Sequence, residues 1–316
     1  MADFTSISPA LAEISVVAGA AGIGLLLYRM RASRRDAPVI VLGHCNGFAA
    51  GCYLPLLEKL AGVADVFAFD QRGHGGAQSP GDPSGLTAEA LADDVAAIIA
   101  AVAQCRPGAA ISYVGHSLSA AAMLHLAITR PASYSAMNLA HVVLIEPPVF
   151  PASDHPLFAE CTRSTIELVA RTHRRRTLWP SPVAYARALS GRGPFASFAP
   201  EMLAAVAQAC LRPQGSGYVL ACAPATEARI FALWGKPILF PQLTAVPSTH
   251  RVLLVSGDPE AGPARDWVTA MMADVAARIS HARLAVQRGR GHLWPFEAPA
   301  EAMALIRTEI LTNGAA

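Results

Sequence analysis

Tyr113-Val114-Gly115-His116-Ser117-Leu118-Ser119-Ala120-Ala121 is the stretch on which the reading of this chain turns. The apolar run Ala110 to Val114 predicts a buried strand, and the Ala- and Leu-rich stretch Leu118 to Thr129 predicts a helix stopped by Pro131. Ser117 therefore falls on a tight turn between strand and helix. Small residues, Gly115 and Ser119, stand two positions before and after it and let neighbouring backbone approach. That is the setting of a serine nucleophile, written G-x-S-x-S in place of G-x-S-x-G. The backbone N–H of Leu118 opens the helix and points where an oxyanion would form. The same residues also fit an ordinary Gly-Ser turn, so the remainder of the chain has to decide.

With 316 residues the chain can bury a sizeable core in one large α/β domain or two smaller ones. Apolar residues make up 53% and charged residues 15%, which excludes a disordered protein, and a net charge of +2 argues against a nucleic-acid partner. Cys45, Cys52, Cys105, Cys161, Cys210 and Cys222 include no C-x-x-C pair. They read as small apolar residues in a reducing compartment, with neither a disulfide framework nor a zinc site. No G-x-G-x-x-G or P-loop pattern occurs, so no cofactor is implied.

Ala10 to Tyr28 is rich in Ala, Gly, Val, Ile and Leu and is followed by Arg29, Arg31, Arg34 and Arg35. A helix of about 19 residues just spans a bilayer core. With its basic cluster on the C-terminal side, such a helix would anchor the domain to the cytoplasmic face of a membrane by residues 10–28. The other reading is an Ala/Gly-rich helix packed on the domain or a loose extension. Glu13 inside the run speaks for this second reading.

Beyond Pro38, strands and helices alternate. Val39 to Leu42 is a β-branched run ending in Gly43-His44-Cys45-Asn46-Gly47-Phe48, where a second oxyanion N–H is offered by Asn46, with Gly47 and Phe48 as near alternatives. Val66 to Phe69 leads into Asp70-Gln71-Arg72-Gly73-His74-Gly75. The helix from Thr87 to Ala103 comes next, with Thr87 as its N-cap. His141 to Ile145 is a strand ending at Glu146, Arg251 to Val255 one that runs into Asp258 and Glu260, and Ala282 to Val286 the last. This alternation predicts a parallel sheet.

In order and spacing, Gly43-His44-x-Asn46-Gly47-Phe48, Asp70-x-Arg72-Gly73-His74-Gly75 and Gly115-His116-Ser117 resemble the alpha/beta-hydrolase superfamily, on its branch of small serine esterases. The likeness covers roughly Pro38 to Val149 and Thr249 to the C-terminus. Cys45 and Ser119 depart from the glycines common in the family. The resemblance implies a mostly parallel central sheet flanked by helices, with a helical cap inserted after the sixth strand. It divides the chain into an N-terminal segment 1–37, a core of 38–149 and 248–316, and a cap 150–247 without clear strands. Cap aromatics Phe150, Phe158, Trp179, Phe195, Phe198, Phe231 and Trp234 line an apolar acyl pocket or form the cap's own core. The basic run Arg171-Thr172-His173-Arg174-Arg175-Arg176 is a solvated helix face, or contacts lipid heads or an anionic substrate tail.

Serine needs a base, and His292, on the loop after the last strand, is the candidate. His116 and His44 read as structural. The base needs a carboxylate, and Glu260, Asp258 and Glu146 all follow strands at the same sheet edge. Family spacing favours Glu260. The expected activity is hydrolysis of an ester of a small to medium apolar acyl substrate. Thioester or C–C hydrolysis, acyl transfer, perhydrolysis, a ligand-binding homologue without catalysis and a membrane-associated scaffold remain alternatives.

Overall fold

The computed structural model describes residues 13–34, 36–258 and 267–312. Its strands are β1 (Glu13–Ala18), β2 (Gly24–Met30), β3 (Val39–Gly43), β4 (Asp65–Asp70), β5 (Ile111–His116), β6 (Leu139–Ile145), β7 (Leu178–Trp179), β8 (Leu211–Gln214), β9 (Gly217–Leu220), β10 (Arg251–Ser256) and β11 (Arg283–Val286). Eight of them form one sheet in the order β1-β2-β4-β3-β5-β6-β10-β11. The six strands from β4 to β11 in that order run parallel, and β1 and β2 are added antiparallel at one edge.

Parallel strands are covered on both faces, which is why they are written as unbroken apolar runs. In β3 the faces separate with a period of two. Val39 and Val41 enter a core with Leu91 and Val95 of α2 (Ala88–Cys105) and Leu124 of α3 (Leu118–Thr129). Ile40 and Leu42 enter another with Leu56 and Leu60 of α1 (Leu54–Ala61) and Ile306 of α11 (Pro299–Arg307). Leaving β3, the chain goes first to β4 on one side and then to β5 on the other. Ligands of open α/β sheets sit at such a reversal, beyond the carboxyl ends of the strands. Asn46, Ser117 and Glu146 follow three adjacent strands there, β3, β5 and β6.

Neither reading of residues 10–28 as a helix survives in the described part of that segment. Residues 13–30 form a β-hairpin, in which β2 pairs with β4 in the register Leu26↔Asp70 to Met30↔Val66. Gly19, Gly22 and Gly24 interrupt any helix. Leu25 to Tyr28 is buried as a strand, with the Tyr28 hydroxyl donating to Asp70 Oδ2 at 2.6 Å. No helix among the described residues is long and apolar enough to cross a membrane.

The segment between β6 and β10 carries α5 (Phe158–His173), α6 (Pro182–Leu189), α7 (Pro200–Ala209) and α8 (Pro224–Trp234). It also holds a small antiparallel sheet, β7-β9-β8, where no strands were expected. The missed signal is Gln214-Gly215-Ser216-Gly217, a short turn with Gly215 at φ +58° that pairs β8 with β9. The segment packs through α7 on the turn Ala50–Tyr53 and on α1, and Ala199 N donates to Phe296 O at 2.9 Å. That carbonyl belongs to the short helix α10 (Trp294–Glu297), which follows α9 (Trp267–Arg278) and β11.

Candidate active site

Ser117 has φ 52° and ψ −105°, a conformation costly for any residue with a Cβ. The turn is forced from both sides. Ser117 N donates to Ile145 O at 2.8 Å, while a Cβ on Gly115 would lie 2.9 Å from Ala120 N. Glu146, following the adjacent strand, also has a positive φ, 49°, and its N–H donates to Val255 O at 2.9 Å. Such strain, at two residues that face one histidine, is the kind held at functional sites.

That histidine is His292. Its Nε2 lies 3.1 Å from Ser117 Oγ and its Nδ1 lies 3.0 Å from Glu146 Oε2. An ionised carboxylate only accepts, so Nδ1 carries the hydrogen and Nε2 is left to accept from the serine hydroxyl. Glu146 is fully buried. Its Oε2 also accepts from Thr269 Oγ1 at 2.8 Å, and its Oε1 accepts from Gly257 N and, at 3.3 Å, from Ser256 Oγ. These donors fix the direction in which the carboxylate faces the ring.

Of the two described carboxylates considered for this place, Glu146 and Asp258, the structure puts Glu146 on His292. Asp258 instead accepts from Gly289 N at 2.9 Å and lies 3.8 Å from Arg288, which pins the loop leading to the histidine. Glu260 lies outside the described residues. Thr269, on the first turn of α9, had no signal in the sequence because its partner is 123 residues away.

Asn46 lies in the loop after β3 and Leu118 directly follows the serine at the start of α3. Leu118 is the first residue of α3, so its N–H is one of those a helix leaves unpaired. The loop Cys45-Asn46-Gly47 is fixed by its neighbours. Cys45 N donates to the Tyr53 hydroxyl at 3.3 Å, Asn46 Nδ2 donates to Glu227 O at 2.9 Å, and Gly47 N donates to His74 Nε2 at 3.1 Å. Of the alternatives to Asn46, Gly47 N is thus occupied and Phe48 N donates to Cys45 O at 3.3 Å.

Ser119, at the unusual elbow position, donates to His44 O at 2.6 Å and accepts from Gln71 Nε2 at 3.0 Å. It ties the elbow helix to the loop after β3, a contact glycine cannot make. Ser119→Ala is expected to cost about 1–2 kcal/mol in urea unfolding, since Gln71 keeps His44 O as a partner.

Neither His44 nor His116 faces the serine as a base. His44 Nδ1 donates to Cys45 O at 2.8 Å and its Nε2 accepts from Gln71 N at 3.0 Å. His116 Nδ1 accepts from the Tyr53 hydroxyl at 2.7 Å and its Nε2 donates to His292 O at 3.1 Å, bracing the histidine loop. Burial lowers the pKa of His44 to about 4 and that of His74 to about 3. Both values lie below the usual 6.5, so the unfolded chain binds the protons first. Stability should hold above pH 6.5 and fall as pH drops toward 4, by up to about 1.4 kcal/mol per pH unit for each ring. Urea unfolding at several pH values checks this; a flat profile would contradict it.

The aromatics read as an acyl pocket divide among several clusters. Phe150 packs edge-on against Phe158 and Trp267, Trp234 edge-on against His125, and Trp179 lies tilted against Tyr185 and under Arg176. Phe195 and Phe198 continue from Phe48 and Phe296, with ring centroids 5.0–6.4 Å apart, beside the Asn46 loop. Phe231 is half-buried. Among the described residues, no group of three or more His, Cys, Asp or Glu side chains is placed to hold a metal ion.

A sequence model of the alpha/beta hydrolase family matches residues 40–305, and the chain belongs to that family. Among solved structures, E-2-(acetamidomethylene)succinate hydrolase superposes with a TM-score of 0.74 at 23% identity, covering 94% of this chain and 98% of that one. A thioesterase domain from the curacin biosynthetic pathway gives 0.66 at 19%, over 93% and 98%. A thermophilic esterase from Thermogutta terrifontis gives 0.63 at 20%, over 93% and 97%. At these identities the likeness extends to the fold. No curated protein sequence matches.

Proposed function

We propose that this chain is a serine hydrolase that cleaves an ester, or a related acyl bond, of a small to medium apolar substrate through an acyl-enzyme intermediate. The observation that carries the reading is the unbroken chain Glu146–His292–Ser117. Ser117 Oγ attacks the carbonyl carbon while His292 Nε2 takes its proton, and Glu146 stabilises the resulting imidazolium. The carbonyl oxygen gains the negative charge, which the N–H groups of Leu118 and Asn46 receive. His292 then gives its proton to the leaving oxygen as the C–O bond breaks. Water, deprotonated by the same ring, attacks the acyl ester and frees Ser117.

The segment 150–247 acts as the cap. Ser117 is only 7% exposed, which favours a substrate small enough to be enclosed. The row Phe48, Phe296, Phe198 and Phe195 supports an apolar acyl group lying beside the oxyanion loop.

Labelling with a fluorophosphonate tests the reading, because phosphonylation needs an activated serine. Wild type is expected to label, while Ser117→Ala and His292→Ala do not. Folded wild type that resists the reagent would remove the hydrolase assignment and leave a ligand-binding homologue. The hairpin of β1 and β2 must be kept in the protein used, since β2 is hydrogen-bonded to β4.

A further inference from the structure

A partly buried ion pair beside the oxyanion loop is left unused by the chemistry above. Glu227, on α8, is 7% exposed, and its carboxylate pairs with Arg175, whose Nη2 also donates to the Tyr185 hydroxyl at 2.9 Å. The pair does not stand apart from the site. A Cβ on Gly47 would lie 2.7 Å from Glu227 Oε1, so the carboxylate rests directly against the loop that carries the Asn46 N–H. From the same residue the backbone carbonyl accepts from Asn46 Nδ2. Beside them, Cys210 Sγ, at the end of α7, lies 3.6 Å from Gly47 O. Three contacts from the segment between β6 and β10 thus converge on two consecutive loop residues.

A carboxylate in that position opposes an oxyanion formed nearby, because two like charges in a poorly solvated space repel. Arg175 cancels the charge and, through Tyr185, fixes the direction from which it does so. We propose that Glu227, held by Arg175, is a positioning residue for the oxyanion loop. Seating of the cap and alignment of the Asn46 N–H are then one event. This rests on the serine-hydrolase reading. Burial raises the pKa of Glu227, against the lowering effect of Arg175, which agrees with a carboxylate that depends on its partner. Gly47 fits the same account: its φ of +78° and the carboxylate at its Cα both require glycine.

The proposal separates kcat from KM. With p-nitrophenyl butyrate, Arg175→Met should lower kcat at least tenfold with KM changed less than threefold, since an unpaired carboxylate then faces the developing charge. Arg175→Met/Glu227→Gln should recover most of that loss, because the neutral amide removes the repulsion. Glu227→Gln alone should stay close to wild type, its amide oxygen still accepting from Arg175. A double variant as slow as Arg175→Met, or an Arg175→Met with wild-type kcat, would overturn the proposal. If Arg175→Met does not fold, Glu227→Ala and Glu227→Gln decide: the alanine, which withdraws the contact at Gly47, should lower kcat at least tenfold with KM little changed while the glutamine keeps most of the activity, and wild-type kcat in Glu227→Ala overturns the proposal. Wild type that neither labels with fluorophosphonate nor turns over the ester would instead remove the hydrolase reading itself.

Discussion

Glu146→Gln is expected to lower kcat by about 10³–10⁴, with KM little changed. The reason lies in which atoms surround the carboxylate. Gly257 N and Ser256 Oγ donate to Oε1, and the backbone N–H cannot reverse its role, so the amide oxygen of a glutamine must take that side. Its NH₂ then faces His292 Nδ1, which must accept. The ring is forced into the tautomer with hydrogen on Nε2, and a protonated Nε2 cannot take the proton of Ser117. The variant should fold, since size and packing are unchanged, and binding of the ester should persist. Asp258→Asn, made in parallel, should leave kcat near wild type because Asp258 contacts the backbone of Gly289 and not the ring. Steady-state kinetics on p-nitrophenyl butyrate would read both. A large loss in the control, or full activity in Glu146→Gln, would refute the assignment of the acid.

This distribution of roles explains what could be read from the chain. Ser117, Leu118 and Asn46 belong to local patterns, a strand running into small residues and then a helix, and their places follow from covalent geometry. The loop of His292 follows the last strand and so must reach the same sheet edge. The carboxylate carries no such local mark. Glu146 and Asp258 each end a strand, and only the lateral order of the sheet, with β6 beside β5 and β10 one strand further, brings Glu146 next to Ser117. Lateral order is a property of tertiary packing and is absent from any single window of sequence. The N-terminal hairpin was hidden for a different reason. Ala and Gly fill its turn, and its edge strand alternates only over Glu13-Ile14-Ser15-Val16, with the apolar members Ile14 and Val16 exposed, too short a signal to outweigh the apolar run that follows. Arg72, quoted as part of a motif, likewise shows its purpose only in the folded chain.

Breaking the Arg72–Asp94 pair is expected to give the largest loss of stability among single substitutions outside the site. Both side chains are 1% exposed, and the contact is bidentate, with Nε to Oδ2 at 2.5 Å and Nη2 to Oδ1 at 2.6 Å. The remaining donors and acceptors are filled as well. Arg72 donates to Gly85 O and Ala20 O, each at 3.1 Å, and Ala20 N donates to Asp94 Oδ1 at 2.8 Å. Helix α2, the turn of the N-terminal hairpin and the loop after β4 therefore meet at one ion pair. Asp94→Ala leaves a guanidinium buried without its counter-charge and an unpaired N–H on Ala20, and should cost about 3–5 kcal/mol in urea unfolding. That is a large part of the 5–15 kcal/mol by which domains are ordinarily stable. Removing both charges should be much less harmful. Arg72→Met/Asp94→Leu is expected to be more stable than Asp94→Ala, because no uncompensated charge remains and apolar contacts replace the pair. A double variant less stable than the single would show that the pair's own attraction, and not the isolation of one charge, sets the cost.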